Sequence, residues 1–259
     1  MKFLGALLLT AAFTTVNTWF TTTTTSLTRT PVITAPAPAP TDILPKLDGS
    51  ALGGALDPHP FMTFQGTITQ GPPFVTIEYQ NHAGVDLSTR HVPGDGAALP
   101  SGGTPPLGVM SNKAVHSVLY PSGWHGNINF NKASYGISND DTLIESSYVV
   151  QANVSTFAAL AINVPNVQGY SYPAVCRCAQ GNAYLSGCDK KLWSMGTCPN
   201  INAQHDCVNP SRSDDDTVTI PFLAPCTGLS YTFPHDDDAV SNGECQSGHI
   251  ICEILSDEH

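Results

Sequence analysis

Three groups of residues could carry chemistry by their type and spacing. The first is the set of eight cysteines, Cys176, Cys178, Cys188, Cys198, Cys207, Cys226, Cys245 and Cys252, all in the last third of a 259-residue chain. Cys176-Arg177-Cys178 has the look of half a thiolate metal site, but such a site needs free thiols, and an exported chain meets an oxidising compartment in which an even cysteine set pairs. The second group is two acidic runs, Asp214 to Asp216 and Asp236 to Asp238. Calcium takes several carboxylate oxygens, yet neither run has the glycine-spaced ligand order of a known loop, so both read as solvated acidic turns and no metal is expected. The third is Asp140, Asp141 and Glu145, a short carboxylate group that by default is an exposed face. The nine histidines show no zinc-ligand spacing and there is no G-x-S-x-G, so neither a zinc site nor a serine hydrolase is expected.

The elements that must position these groups follow from patterning. Lys2 and the apolar run Phe3 to Phe13 have the form of a secretion signal, assigned to residues 1–19; a membrane span needs roughly 20 apolar residues, and this run is shorter. Residues 20–60 hold the run Thr21 to Thr25 and Pro31, Pro36, Pro38, Pro40 and Pro45. With so few large apolar groups the segment reads as an extended, O-glycosylated stalk. Asn153 heads an Asn-Val-Ser sequon and is the expected N-glycosylation position.

Residues 61–259 then read as one domain written in strands. Phe74 to Tyr79 alternates, Val85 to Val92 resumes after the break Asn81 to Gly84, and the pair suggests a hairpin. Ala114 to Tyr120, Gly126 to Phe130, Tyr148 to Ala152, Phe157 to Val164 and Thr217 to Phe222 are further strand candidates. Together they predict an all-β sandwich or barrel with a disulfide-braced irregular lobe from Cys176 to Cys226.

Five strings in the same order resemble thaumatin-like proteins of the osmotin and thaumatin superfamily. Phe74 to Asn81, with Gly123-Trp124-His125-Gly126 after it, resembles the family's opening strand and its G-W-x-G segment. Thr142-Leu143-Ile144-Glu145 resembles T-L-A-E, and Gln168 to Pro173 resembles D-G-F-N-x-P. Cys188-Asp189 with Cys198-Pro199 resembles C-x-x-D through C-P, and Tyr231 to Asp237 resembles the Y-S-Y-P-x-D-D segment ahead of two closing cysteines. The short loops and eight cysteines are most similar to the small fungal members. The resemblance implies a thaumatin-like β-sandwich, a flattened barrel, with its disulfide lobe. It also implies bridges Cys188 to Cys226, Cys198 to Cys207, Cys178 to Cys245 and Cys176 to Cys252, with Cys176 and Cys178 open to exchange between the last two. The family's last cysteine usually joins the first strand, where this chain has Ala83.

The family carries an acidic cleft, and some members hydrolyse β-1,3-glucan while others bind it. Hydrolysis needs an acid and a second carboxylate about 5 to 9.5 Å apart across the scissile bond. Carried over residue by residue, the cleft glutamate falls on Glu145, the arginine on Asn131, and two aspartates on Asn163 and Gln168. An amide does not ionise near neutrality, so it cannot be the partner carboxylate, although it hydrogen-bonds sugar hydroxyls well. The reading favours a secreted or cell-wall-associated protein that binds β-glucan or a related polysaccharide, with no cofactor and without strong catalysis. An endo-β-1,3-glucanase using Glu145, or a secreted effector that binds a host or cell-surface protein, are the alternatives. With 10 Lys and Arg against 21 Asp and Glu, a net charge of -11, neither nucleic acid nor membrane insertion is expected.

Overall fold

The computed structural model describes residues 62–63, 74–151, 157–239 and 245–257. The signal segment 1–19, the Thr/Pro stretch 20–60 and the sequon at Asn153 lie outside the described residues. The domain is almost all β, with four disulfide bridges. Its fourteen described strands are β1 (Met62–Thr63), β2 (Phe74–His82), β3 (Leu87–Pro93), β4 (Gly102–Gly103), β5 (Gly108–Met110), β6 (Val115–Pro121), β7 (Trp124–Lys132), β8 (Thr142–Gln151), β9 (Phe157–Asn163), β10 (Gly169–Tyr170), β11 (Ala174–Cys178), β12 (Tyr184–Cys188), β13 (Cys207–Val208) and β14 (His249–Leu255). A single helical turn, α1 (Leu192–Met195), lies between β12 and β13.

Two six-stranded sheets form the body. One runs β1-β9-β8-β7-β3-β5 and is antiparallel throughout; the other runs β12-β11-β14-β2-β6-β4 and contains the parallel pair β14 and β2. Period-two patterning explains the facing of both. In β2, Val75, Ile77, Tyr79 and Asn81 are buried while the residues between them are not, and in β14 Ile250, Cys252 and Ile254 repeat the pattern. The parallel register sets Ile250 beside Ile77 and Cys252 beside Tyr79, so these apolar rows stand on one face.

That face meets Trp124, Ile128 and Phe130 of β7 and Ile144 and Tyr148 of β8 in one shared core. Tyr120 stacks on Trp124 with ring centroids 4.2 Å apart, and Tyr79 contacts Phe130 at 6.2 Å. The polar tips of these aromatics are satisfied inside the core. Trp124 Nε1 donates to Ser146 Oγ at 2.8 Å, and the Tyr79 and Tyr120 hydroxyls share a hydrogen bond of 3.2 Å.

The break at Asn81 to Gly84 is a turn, but it does not close a hairpin. Strands β2 and β3 lie in different sheets, each paired elsewhere: β2 with β6 and β14, β3 with β5 and β7. Fully buried Asn81 makes the crossing. Its Nδ2 donates to the carbonyls of Val85, Met110 and Ser111, and its Oδ1 accepts from the Ala83 amide. Gly84 supplies the left-handed residue at φ +83°. A corner between sheets and a hairpin turn call for the same residue types, so local patterning does not separate them.

Three further expectations are corrected. Thr217 to Phe222 is not a strand; the backbone there is irregular and leads into a 3-10 turn at Ala224–Cys226, since Pro221 and Pro225 deny amide donors to a ladder. The irregular lobe does not begin at Cys176, because β11 and β12 are strands of the second sheet. Strand β8 starts at Thr142 rather than Tyr148.

The structure joins Cys176 to Cys252, Cys178 to Cys245, Cys188 to Cys226 and Cys198 to Cys207. Cys176 and Cys252 are direct partners across β11 and β14, so strand register decides which cysteine of the Cys-x-Cys pair meets Cys252. The other two bridges sit in a second apolar cluster formed by Tyr170, Leu192, Ile220, Phe222 and Leu223. Buried Asp257 ties this lobe to the end of β14, accepting from the Tyr170 hydroxyl at 2.7 Å and the Trp193 amide at 3.0 Å. Among the described residues no helix is long and apolar enough to cross a membrane.

Candidate functional site

Glu145 lies at the middle of the first sheet, on β8 between β7 and β9. The alternation that turns Ile144 and Ser146 into the core turns Leu143, Glu145 and Ser147 to the opposite face. Register then places Asn127 of β7 on one side of Glu145 and Asn163 of β9 on the other. The result is an amide, carboxyl, amide row across three strands.

Glu145 is only 8% exposed, so it is not a solvated strand-edge carboxylate. Burial pushes its pKa up to about 8, and the hydrogen bond from Asn163 Nδ2 to Oε2, long at 3.5 Å, offsets only part of that. At neutral pH the group is therefore mostly a neutral acid. Asn163 is held from behind by Ser186 of β12, whose hydroxyl lies 3.4 Å from Asn163 Oδ1 and accepts from the Val164 amide. On the other flank Asn127 Oδ1 is buried without a hydrogen-bond partner. A protonated Glu145 beside it has a proton to give.

The four residues matched to the family cleft do not form one group. Glu145 and Asn163 are cross-strand partners, but Asn131 sits at the far end of β7, fully buried, with Nδ2 donating to the Gln204 carbonyl at 2.9 Å and Oδ1 accepting from the Lys132 amide. Gln168 precedes β10, and its carbonyl accepts from Asn209. A Cβ on the next residue, Gly169, would lie 2.4 Å from the Asp140 carbonyl, so this segment packs on the loop between β7 and β8. Along its own chain the nearest carboxyl of the same alternation is Asp141, just before β8 and four residues, or about 13 Å of extended backbone, from Glu145.

Sequence reasoning missed Asn127, whose role comes only from register, and Arg90 of β3. The Arg90 guanidinium reaches Asn129 Oδ1, the Ser138 carbonyl and Asn139 Oδ1, bracing the β7–β8 loop on the same side of the sheet. It also missed that Asp141 and Asp206 meet at Ser138. The acidic runs serve as turn caps: Asp216 accepts from the Ser213 amide, and Asp236 accepts from the amide and hydroxyl of Thr232. No group of three or more His, Cys, Asp and Glu able to hold a metal is found among the described residues. An open recess of about 580 Å³, lined by His82, Val85, Lys132, Tyr172, Ser256 and Asp257, includes none of the four cleft positions.

No family model matches the chain, and no curated protein matches it.

Proposed function

We propose that this chain is a secreted, thaumatin-like protein that binds a neutral polysaccharide such as β-1,3-glucan along the row of Asn127, Glu145 and Asn163, and does not hydrolyse it. The observation that carries the reading is the company Glu145 keeps. Its in-register neighbours on both flanking strands are amides, so neither β7 nor β9 sets a second carboxylate opposite it, as hydrolysis across one glycosidic bond would need. Half-buried Asn127 and Asn163 carry amide N–H donors for sugar hydroxyls on either side of a mostly neutral acid. Four disulfides with no free cysteine suit an oxidising, extracellular setting. An almost all-β domain with four disulfide bridges is the broad class of architecture that the resemblance implies.

The glucanase reading has one observation in its favour. A carboxyl held protonated near neutrality is what a general acid requires, and burial gives Glu145 that property. Incubation of the purified protein with insoluble β-1,3-glucan, scoring retention and released reducing sugar together, separates the two. Retention without sugar release, weakened severalfold by Asn163→Ala, is the expected result. Sugar release abolished by Glu145→Gln would replace the binder with an enzyme.

A further inference from the structure

Away from the Glu145 row, two aspartates from different parts of the chain meet out of reach of solvent. Asp141 stands at the end of the β7–β8 loop and is 1% exposed; Asp206 stands in the loop closed by the Cys198 to Cys207 bridge and is fully buried. Each is held firmly on one side. The Ser138 amide donates to both oxygens of Asp141, at 3.1 and 2.9 Å. Asp206 Oδ2 accepts from Ser138 Oγ at 2.6 Å and from Asn202 Nδ2 at 3.1 Å. The other oxygen of Asp206, Oδ1, is buried and no amide or hydroxyl reaches it. Ser138 thus gathers both carboxyls at one buried point, Asp141 on its amide and Asp206 on its hydroxyl. Two ionised carboxylates crowded at one serine and out of water repel strongly, so the closed arrangement favours holding one proton between them.

We propose that Asp141 and Asp206 form a one-proton carboxyl pair that latches the 200–206 loop onto the β7–β8 loop under acidic conditions and releases it as pH rises. The pair has no opening to substrate, so it is a latch rather than a catalytic dyad. Its surroundings decide the direction. Burial, and then the charge of Asp206, push Asp141 up to about 7; burial likewise raises Asp206 against the hydrogen bonds from Ser138 and Asn202 that lower it. Asp140 faces the pair from the β7–β8 loop and adds negative charge, although Arg212 is bound to it at 2.7 Å. Arg90, from β3, favours the ionised form of Asp141. His205, next to Asp206 on the lobe loop, is the remaining titratable neighbour and stacks on Tyr135.

The closed state keeps a proton that the open state, with ordinary carboxyls, gives up between about pH 4 and pH 7. Losing it leaves two buried negative charges against one another beside Asp140, and the loop separates from the sheet. The same loop supplies the Gln204 carbonyl that holds Asn131, so opening exposes the end of β7.

Amide hydrogen exchange of residues 200–206 in the full purified chain, corrected for the intrinsic pH dependence of exchange, tests the latch. The opening constant should rise by about tenfold per pH unit between pH 5 and pH 7 and then level off. Asp206→Asn, whose amide can donate to an ionised Asp141, should remove that slope while keeping the loop closed, and His205→Gln should leave the slope intact. A second measurement needs no variant: the side-chain carboxyl carbon of Asp141, followed by NMR, should titrate at least two pH units above an ordinary aspartate. Opening that does not vary with pH, a slope retained in Asp206→Asn, or ordinary titration of both aspartates would each overturn the latch. So would suppression of the slope by millimolar calcium alone, which would place a cation between the carboxyls instead of a proton.

Discussion

The sandwich and the lobe are held together by different means. Between the two sheets, stability comes from alternating strands that deliver Val75, Ile77, Tyr79, Trp124, Ile128, Phe130 and Ile144 into one shared core. In the lobe the backbone is mostly irregular, and its small cluster of Tyr170, Leu192, Ile220, Phe222 and Leu223 surrounds four cysteines in two bridges. Little apolar area per residue is available there, so crosslinks and buried polar bonds such as those of Asp257 replace it. A core built by periodicity unfolds as a unit. A region built by crosslinks and single polar contacts can open locally, and the Asp141 and Asp206 contact lies on the seam between the two.

The largest expected effect breaks the sandwich. Trp124→Ala removes a fully buried ring stacked on Tyr120 and His91 and leaves Ser146 without its donor, and should cost about 3 to 5 kcal/mol in a single cooperative denaturant transition. A loss below about 1 kcal/mol would mean the sheets do not depend on this stack.

The lobe should respond differently. Cys188→Ser with Cys226→Ser should cost about 2 to 5 kcal/mol, concentrated in the lobe. Indole NMR signals can report both regions at once: Trp193 should broaden or shift toward a solvated position while Trp124 stays native. Simultaneous loss of both signals would show that sandwich and lobe are one cooperative unit.

A smaller change sharpens the role of the corner. Asn81→Ala deletes the two amide protons shared among three carbonyls and one accepted bond at the passage between sheets, and should destabilise by about 1 to 3 kcal/mol in urea unfolding without altering the disulfides. An unchanged midpoint would shift the corner's stability onto Gly84 and the backbone.

The last effect is gradual and concerns pH. Glu145 in the folded chain holds its proton to about pH 8, well above the ordinary glutamate value, so its contribution is complete below about pH 4.5 and is lost as pH rises toward 8. The slope is at most about 1.4 kcal/mol per pH unit. Glu145→Gln should flatten the stability profile between pH 5 and 8. A profile that Glu145→Gln leaves unchanged over that range would mean that the glutamate is already ionised in the folded state, as it is in the unfolded one.

Legibility in the sequence followed the range of the interaction. Strands β2, β3, β6 and β9 were visible because alternation is a property of neighbouring residues. Strands β11, β12 and β14 were passed over because cysteines, glycine and a short C-terminal run hide the period, although the buried positions of β14 alternate as cleanly as those of β2. The break at Asn81 is legible as a turn but not as a change of sheet, since the choice between closing a ladder and crossing over rests on Met110 and Ser111, about thirty residues away. Glu145 could be picked out from its string, whereas its neighbours could not: Asn127 and Asn163 stand beside it only through the register of β7, β8 and β9.

By itself, then, the sequence determined the β class of the chain, its acidic balance and the identities of the groups available to react, because these depend on composition and short-range period. The tertiary structure alone decided which acids are buried, which amides flank Glu145 and that Asp141 meets Asp206, because desolvation and proton sharing depend on which distant strands and loops are brought within a hydrogen bond of one another.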